Sequence, residues 1–157
     1  MKIDSPQHIC NLFSFFHDGV VAYVVHEGSD LLLEIEIQYL AERIESSYKK
    51  FLVRLSQIQD ILFKTWPNDP KSDPKVLRSI EIIFKPELEI LASNSQEGQI
   101  QVTCNQSSPE FDYCGGELYF QAAYAEVADE AGRYYSIDEL GSLCKSYWDE
   151  WSTRNVI

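Results

Sequence analysis

Nowhere in this chain do about 18 apolar residues run together, the length a helix needs to cross a bilayer. Asp4, Gln7, His8 and Asn11 break up the N-terminal stretch before it reaches signal-peptide length. These absences predict a soluble, unexported, cytoplasmic protein with no membrane partner. Cysteine is sparse too. Cys10, Cys104, Cys114 and Cys144 are widely spaced, which in an unexported chain predicts reduced thiols, a bridge between Cys104 and Cys114 across a hairpin being the alternative. Asn105-Gln106-Ser107 matches a glycosylation acceptor, a pattern that carries weight only in exported chains.

Histidine is scarcer still. His8-x-Cys10, His17-Asp18 and His26-Glu27 stand apart, with no C-x₂-C or H-x₃-H spacing, so no metal site and no cofactor are expected. No serine lies in a Gly-x-Ser-x-Gly context, and Gly115-Gly116 lacks the surroundings of a phosphate loop. Basic residues number 13 against 25 acids, and Lys49-Lys50 and the lysines between 64 and 85 are diluted by carboxylates. A phosphate backbone needs clustered cations, so nucleic acid is excluded as an expected partner.

What the chain does have is apolar and aromatic content. At 157 residues, 45% hydrophobic and 13% aromatic, it can bury one sizeable core, and residues 1–157 read as a single domain. The formal charge of −12 is uneven: from residue 86 onward thirteen acids face only Arg133, Lys145 and Arg154, a net of −10 that leaves −2 for the first 85 residues. The C-terminal half is the acidic half.

Ser5-Pro6 opens a helix over 6–16 with Ile9, Leu12, Phe13 and Phe16 on one face. The β-branched run Val20 to Val25 is a first strand, Glu27-Gly28-Ser29-Asp30 a turn, and 31–39 a second strand with Leu32, Glu34, Glu36 and Gln38 facing outward. A polar loop or single turn over 41–47 leads to a third strand at 51–55 and a fourth near 61–65. Residues 66–74 hold three prolines and read as a connection within the domain. A short helix from Asp73-Pro74 to Phe84, strands at 88–92 and 100–104, a loop at 107–116 and one long strand over 118–126 follow. Ser136-Ile137-Asp138-Glu139 is a capping box that starts a C-terminal helix with an apolar stripe through Trp151. Together these predict an α+β fold, with a predominantly antiparallel sheet of about six to eight strands and the terminal helices packed on it. No repeat of fixed period shows, although both halves run helix, hairpin, strand.

His17-Asp18 could serve as a base with its orienting carboxylate, but adjacent side chains seldom point the right way. A turn reading explains the pair better, with Asp18 bonding nearby N–H groups, Gly19 taking a positive φ and His17 packed beside Phe16 or held as an interface residue. Cys144 falls mid-helix on an apolar stripe, as a buried inert thiol would. The candidate contact residues are acids interleaved with aromatics: Glu110, Asp112, Asp129, Glu130, Asp149 and Glu150, with Trp148. Such a surface can steer and hold a basic protein; the plainer reading is that the acids keep the domain soluble and the aromatics form its core.

Phe16-His17-Asp18-Gly19 at a helix-to-strand turn, the acidic alternating strand 31–38 and Phe51-Leu52-Val53-Arg54-Leu55 resemble small bacterial proteins. Some of these are grouped with immunity proteins of contact-dependent and polymorphic toxin systems. The resemblance covers about a third of the chain and implies a cytoplasmic antidote that binds a toxin domain. The expected function is therefore a non-enzymatic protein-binding domain that engages a basic partner through its acidic half. The alternative is a small-ligand-binding or enzymatic α+β domain with a pocket between sheet and helix, using His17 or the Tyr-rich strand 118–124. An uncovered edge strand could pair two copies.

Overall fold

A computed structural model describes residues 1–154. It is α+β, with one antiparallel sheet and helices at both ends of the chain. Helix α1 (Pro6–Phe15) begins where Ser5 Oγ accepts from the His8 amide at 3.1 Å, and buries Ile9, Leu12 and Phe13. Then come β1 (Val20–Glu27), β2 (Asp30–Glu36), the short α2 (Gln38–Ala41), β3 (Lys50–Ser56), β4 (Gln59–Pro67) and β5 (Val76–Leu77). The second half runs α3 (Ile80–Ile83), β6 (Leu88–Gln96), β7 (Gln99–Asn105), β8 (Tyr113–Gln121), β9 (Tyr124–Ala128), β10 (Tyr134–Tyr135) and α4 (Ile137–Arg154).

The sheet has ten strands, not six to eight, in the order β10-β9-β3-β2-β1-β6-β7-β8-β4-β5. The excess has two sources. Residues 118–126 are not one strand: β8 ends at Gln121, and after Ala122 and Ala123 the chain leaves to pair β9 with β3. The two-residue β5 and β10 carry too little pattern to be read. Where a helix from Asp73 to Phe84 was expected, Val76 and Leu77 pair with β4 and only one turn, α3, is helical.

This order conceals a duplication. Reading outward from the central pair, β1, β2 and β3 correspond to β6, β7 and β8, but the next two strands are exchanged: β9 and β10 complete the first half, β4 and β5 the second. The register bears it out. Val20 pairs with Glu89 at the centre, and Val21 with Leu88 on one side matches Gly19 bonded to Ile90 on the other. Leu31 opposite Leu55 corresponds to Ile100 opposite Phe120, and Val53 opposite Val127 to Leu118 opposite Phe63. Even the loops agree: buried Thr65 accepts the Lys75 amide on its hydroxyl, as buried Asp129 accepts the Arg133 amide on its carboxylate.

One apolar core holds residues from Ile3 to Cys144. Phe13 meets Phe120 of β8 edge-on at 5.8 Å and Phe16 stacks on Phe51 of β3 at 5.1 Å, so α1 ties the two halves together. The left-handed residue of the following turn is Asp18, φ 69°, and not Gly19 as expected. Gly19 is required for closeness instead, since a Cβ there would stand 2.8 Å from the Phe16 carbonyl. Helix α4 starts on the reciprocal bonds of the capping box, Glu139 amide to Ser136 Oγ and Ser136 amide to Glu139 Oε1, each 3.1 Å. No helix among the described residues is long and apolar enough to cross a membrane.

Gly116 lies where β8 runs tightest against β4: a Cβ would fall 2.3 Å from the Lys64 carbonyl and 2.7 Å from the Phe63 ring. Gly116→Ala is expected to destabilise the protein by about 1–3 kcal/mol, by overpacking. A urea midpoint equal to that of the parent would show that the two strands separate at no cost.

Candidate functional site

His17 is held by its neighbours. Its ring stacks on Trp148 of α4 at 5.3 Å and 18°, Nδ1 lies 3.2 Å from the Ser14 carbonyl, and Nε2 lies 3.8 Å from an Asp18 carboxylate oxygen. The Tyr39 hydroxyl donates to the His17 carbonyl at 2.8 Å. Burial, reinforced by Cys144, Asp18 and Tyr147, pushes that phenol well above its ordinary range. The arrangement fastens the end of α1 to α2 and α4, and Trp148 contributes as packing. The space between α1 and the sheet, where a ligand pocket was the alternative, is filled by Phe13, Phe16, Phe51 and Phe120.

The candidate acids do not form one surface. Asp112 pairs with Lys75 at 2.8 Å beside edge strand β5, and Glu110 is exposed in the loop before β8. At the other edge, Glu130 accepts from the Lys49 and Lys50 amides and so fixes the approach to β3. On α4, Asp149 pairs with Lys145 at 2.7 Å, while Glu150 pairs with Arg154 and, at 2.8 Å, with Arg43. Asp129 is corrected outright as a contact residue. It is 3% exposed, and its oxygens accept from the Tyr135 hydroxyl at 2.7 Å and from the Ala131 and Arg133 amides. Because strands are exchanged between the halves, the acidic C-terminal half is not a face of the molecule. All four cysteines are free; Cys104 is buried and Cys114 exposed.

A different surface stands out. The outward positions of β1, β2, β3, β9 and β10 form two cross-strand rows. Tyr23, Glu34, Leu52, Ala128 and Tyr134 lie opposite one another in one; Val25, Leu32, Arg54 and Glu126 make the other. Tyr23 is 58% exposed, Tyr134 50% and Leu52 38%, and the rows line a groove of about 350 Å³. Four large apolar side chains, Tyr23, Val25, Leu52 and Tyr134, are exposed on this one face, which they share with Glu34, Arg54 and Glu126.

The duplication supplies the comparison. The equivalent rows of the other half read Ala92, Thr103, Glu117, Lys64, Val76 and Asn94, Gln101, Tyr119, Leu62. At the same places in the same fold, Tyr23, Val25, Leu32 and Leu52 are thus replaced by Ala92, Asn94, Gln101 and Glu117. The sheet therefore does not demand apolar side chains there.

The polar groups of the groove are arranged asymmetrically. Asp30 accepts the Gln57 amide at 3.0 Å and the Arg54 Nε at 2.9 Å, which hold its carboxyl below the ordinary range against the cost of desolvation. Arg54 also lies 3.5 Å from Glu27. Glu126, directly opposite Arg54 in the ladder, has no side-chain hydrogen bond or ion pair among the described residues.

In the sequence Leu32 alternates in phase with Glu34, Glu36 and Gln38, and Leu52 with Arg54, so neither leucine stands out as part of an apolar face. The signal lay in the break of alternation: Val20 to Val25 and Leu31-Leu32-Leu33 are apolar on both faces. The chain matches no family model, no curated protein and no solved structure.

Burial opposes the charge on Asp129, but the bonds from Tyr135, Arg133 and Ala131 together outweigh it and hold the carboxyl below its usual value, while burial and Asp129 push the Tyr135 phenol up to about 12. The stability Asp129 contributes is then complete above about pH 4 and is lost as the pH falls through the depressed value. Asp129→Asn is expected to cost roughly 1–3 kcal/mol at neutral pH by leaving buried donors poorly matched, and to flatten the acid limb of the urea stability profile. An unchanged acid limb would assign that limb to other carboxylates.

Proposed function

We propose that this chain is a non-enzymatic protein-binding domain that docks a basic partner on the outer face of β1, β2, β3, β9 and β10. The observation that carries this reading is the difference between the two halves at four places: Tyr23, Val25, Leu32 and Leu52 line a groove on one outer face where the other carries Ala92, Asn94, Gln101 and Glu117. Exposed Tyr23 and Leu52, which stand where the other half has Ala92 and Glu117, supply anchors of the kind that dominate protein interfaces. The net charge of −12 adds a field that favours a cationic partner and speeds its approach. An antidote that covers a toxin domain in the cytoplasm, the role implied by the immunity-protein resemblance, needs such a preformed face. Pairing of two copies through a sheet edge has less support, since both edge strands, β5 and β10, are two residues long.

The test copies three positions of the second half onto the first. Tyr23→Ala, Val25→Asn and Leu32→Gln reproduce Ala92, Asn94 and Gln101, which already stand at the equivalent places. The triple variant is expected to keep its stability to within about 1 kcal/mol. In affinity capture from the native lysate, with partners identified by mass spectrometry, it should retain about a tenth or less of a basic protein held by the parent. Equal capture of that protein by both, or capture of none by the parent, would reject this face as the binding surface.

A further inference from the structure

The groove takes a definite chemistry if the docking face is read as above, and the following rests on that reading. We propose that Glu126 is the recognition carboxylate of this face, taking one arginine or lysine side chain of the partner while a neighbouring aliphatic side chain lies over Leu32 and Leu52.

Glu126 lines the groove half-buried, and its carboxylate is matched by nothing among the described residues. The cation best placed to neutralise it, Arg54, stands directly across the ladder but is turned to Asp30, with Nε at 2.9 Å and Nη2 at 2.8 Å from the same oxygen. Asp30 is itself anchored by the Gln57 amide, so Arg54 is held away from Glu126 by a fixed partner. The result is a charge kept open inside an apolar recess, where a hydrogen-bonded cation gains more than it would in water.

The neighbours suit a cationic side chain. Tyr134 faces Ala128 across the β9 and β10 ladder, and Glu126 is two residues from Ala128 on the same face, so ring and carboxylate are diagonal neighbours. An aromatic face beside a carboxylate receives a guanidinium by stacking and by paired hydrogen bonds. On the other side, Leu52 and Leu32 offer apolar floor to the residue next to the cation. The equivalent of Glu126 in the other half is Leu62, so the fold does not require an acid at this place. Charge complementarity points the same way, with 25 acids against 13 cations in the whole chain.

The probe is a pair of tripeptides, acetyl-Leu-Leu-Arg-amide and its citrulline counterpart, which keeps the shape of arginine and removes its charge. Each is titrated into the ¹⁵N-labelled full chain. The arginine peptide is expected to shift the amide signals of Leu52, Glu126, Ala128 and Tyr134 saturably at millimolar concentration, and to leave Asn94, Gln101 and Glu117 in place. Citrulline, or Glu126→Gln with the arginine peptide, should weaken binding by about tenfold. Glu126→Gln changes an outward side chain, and retention of its remaining amide spectrum reports that it folds. Equal binding of both peptides to this face would overturn the cation subsite and leave the docking face standing. Shifts spread equally over both halves, or none up to about 10 mM, would overturn both.

Discussion

Two connections of two residues each govern this fold. Residues 57–58 join β3, third in the sheet order, to β4, ninth; residues 122–123 join β8 to β9 across a similar gap. At about 3.5 Å per residue such links reach only across adjacent layers, never along a flat sheet of that width. The sheet is therefore folded over so that its halves face each other, and α1 occupies the space with Phe13 and Phe16 touching opposite sides. Neither half is complete alone, because each borrows its last two strands from the other. A single core follows from that exchange.

Local chemistry was readable in the sequence and remote pairing was not. The Ser5 cap, the capping box at Ser136, the hairpin turns at Gly28 and Gly98 and the alternating strands all stand where their patterns place them. Each of those signals is complete within a few residues. The exchange of β4 and β9 leaves no such mark, since Ala122-Ala123 is compatible with a continuing strand and only the partner of Tyr124 decides otherwise. The duplication is invisible to any fixed period for a related reason. Leu31 corresponds to Ile100, Leu55 to Phe120 and Leu77 to Tyr135, so the spacing between equivalents shortens steadily along the chain. The candidate site suffered most. A string of acids is conspicuous in one dimension, yet most of those carboxylates are committed to partners within the protein: Lys75, Lys145, Arg43, and the turn that Asp129 closes. Outward leucines hidden among them become visible only when strands from both halves are laid side by side.

Duplication also separates what the fold needs from what the surface does. A single sheet with apolar outward residues invites the explanation that β propensity or cross-strand packing selected them. Here the same positions occur twice, under matched register and matched bulges, and Val25, Leu32 and Leu52 of one set stand where the other has Asn94, Gln101 and Glu117. Since Asn94, Gln101 and Glu117 satisfy the ladder, the ladder does not require Val25, Leu32 and Leu52 to be apolar. Exposed apolar side chains raise the risk of self-association, which a net charge of −12 counteracts between identical copies but not toward a cationic protein.

Breadth of charge and precision of contact are thereby assigned to different parts of the molecule. Acids scattered over both edges and α4 form no single surface, and Asp112, Asp149 and Glu150 are ion-paired, yet their sum still acts at a distance, where only net charge matters. On the proposed reading, grip belongs to a face whose backbone is fully committed to the ladder, so that little ordering entropy is lost on contact. On that face the open carboxylate matters more than its neighbours because its own cation is spent. Had Arg54 been free to turn, Glu126 would close onto it and the groove would lose its one open carboxylate. By anchoring Arg54, Asp30 keeps one charge open in an apolar setting, and specificity on the proposed surface depends on that restraint rather than on the amount of acid the chain carries.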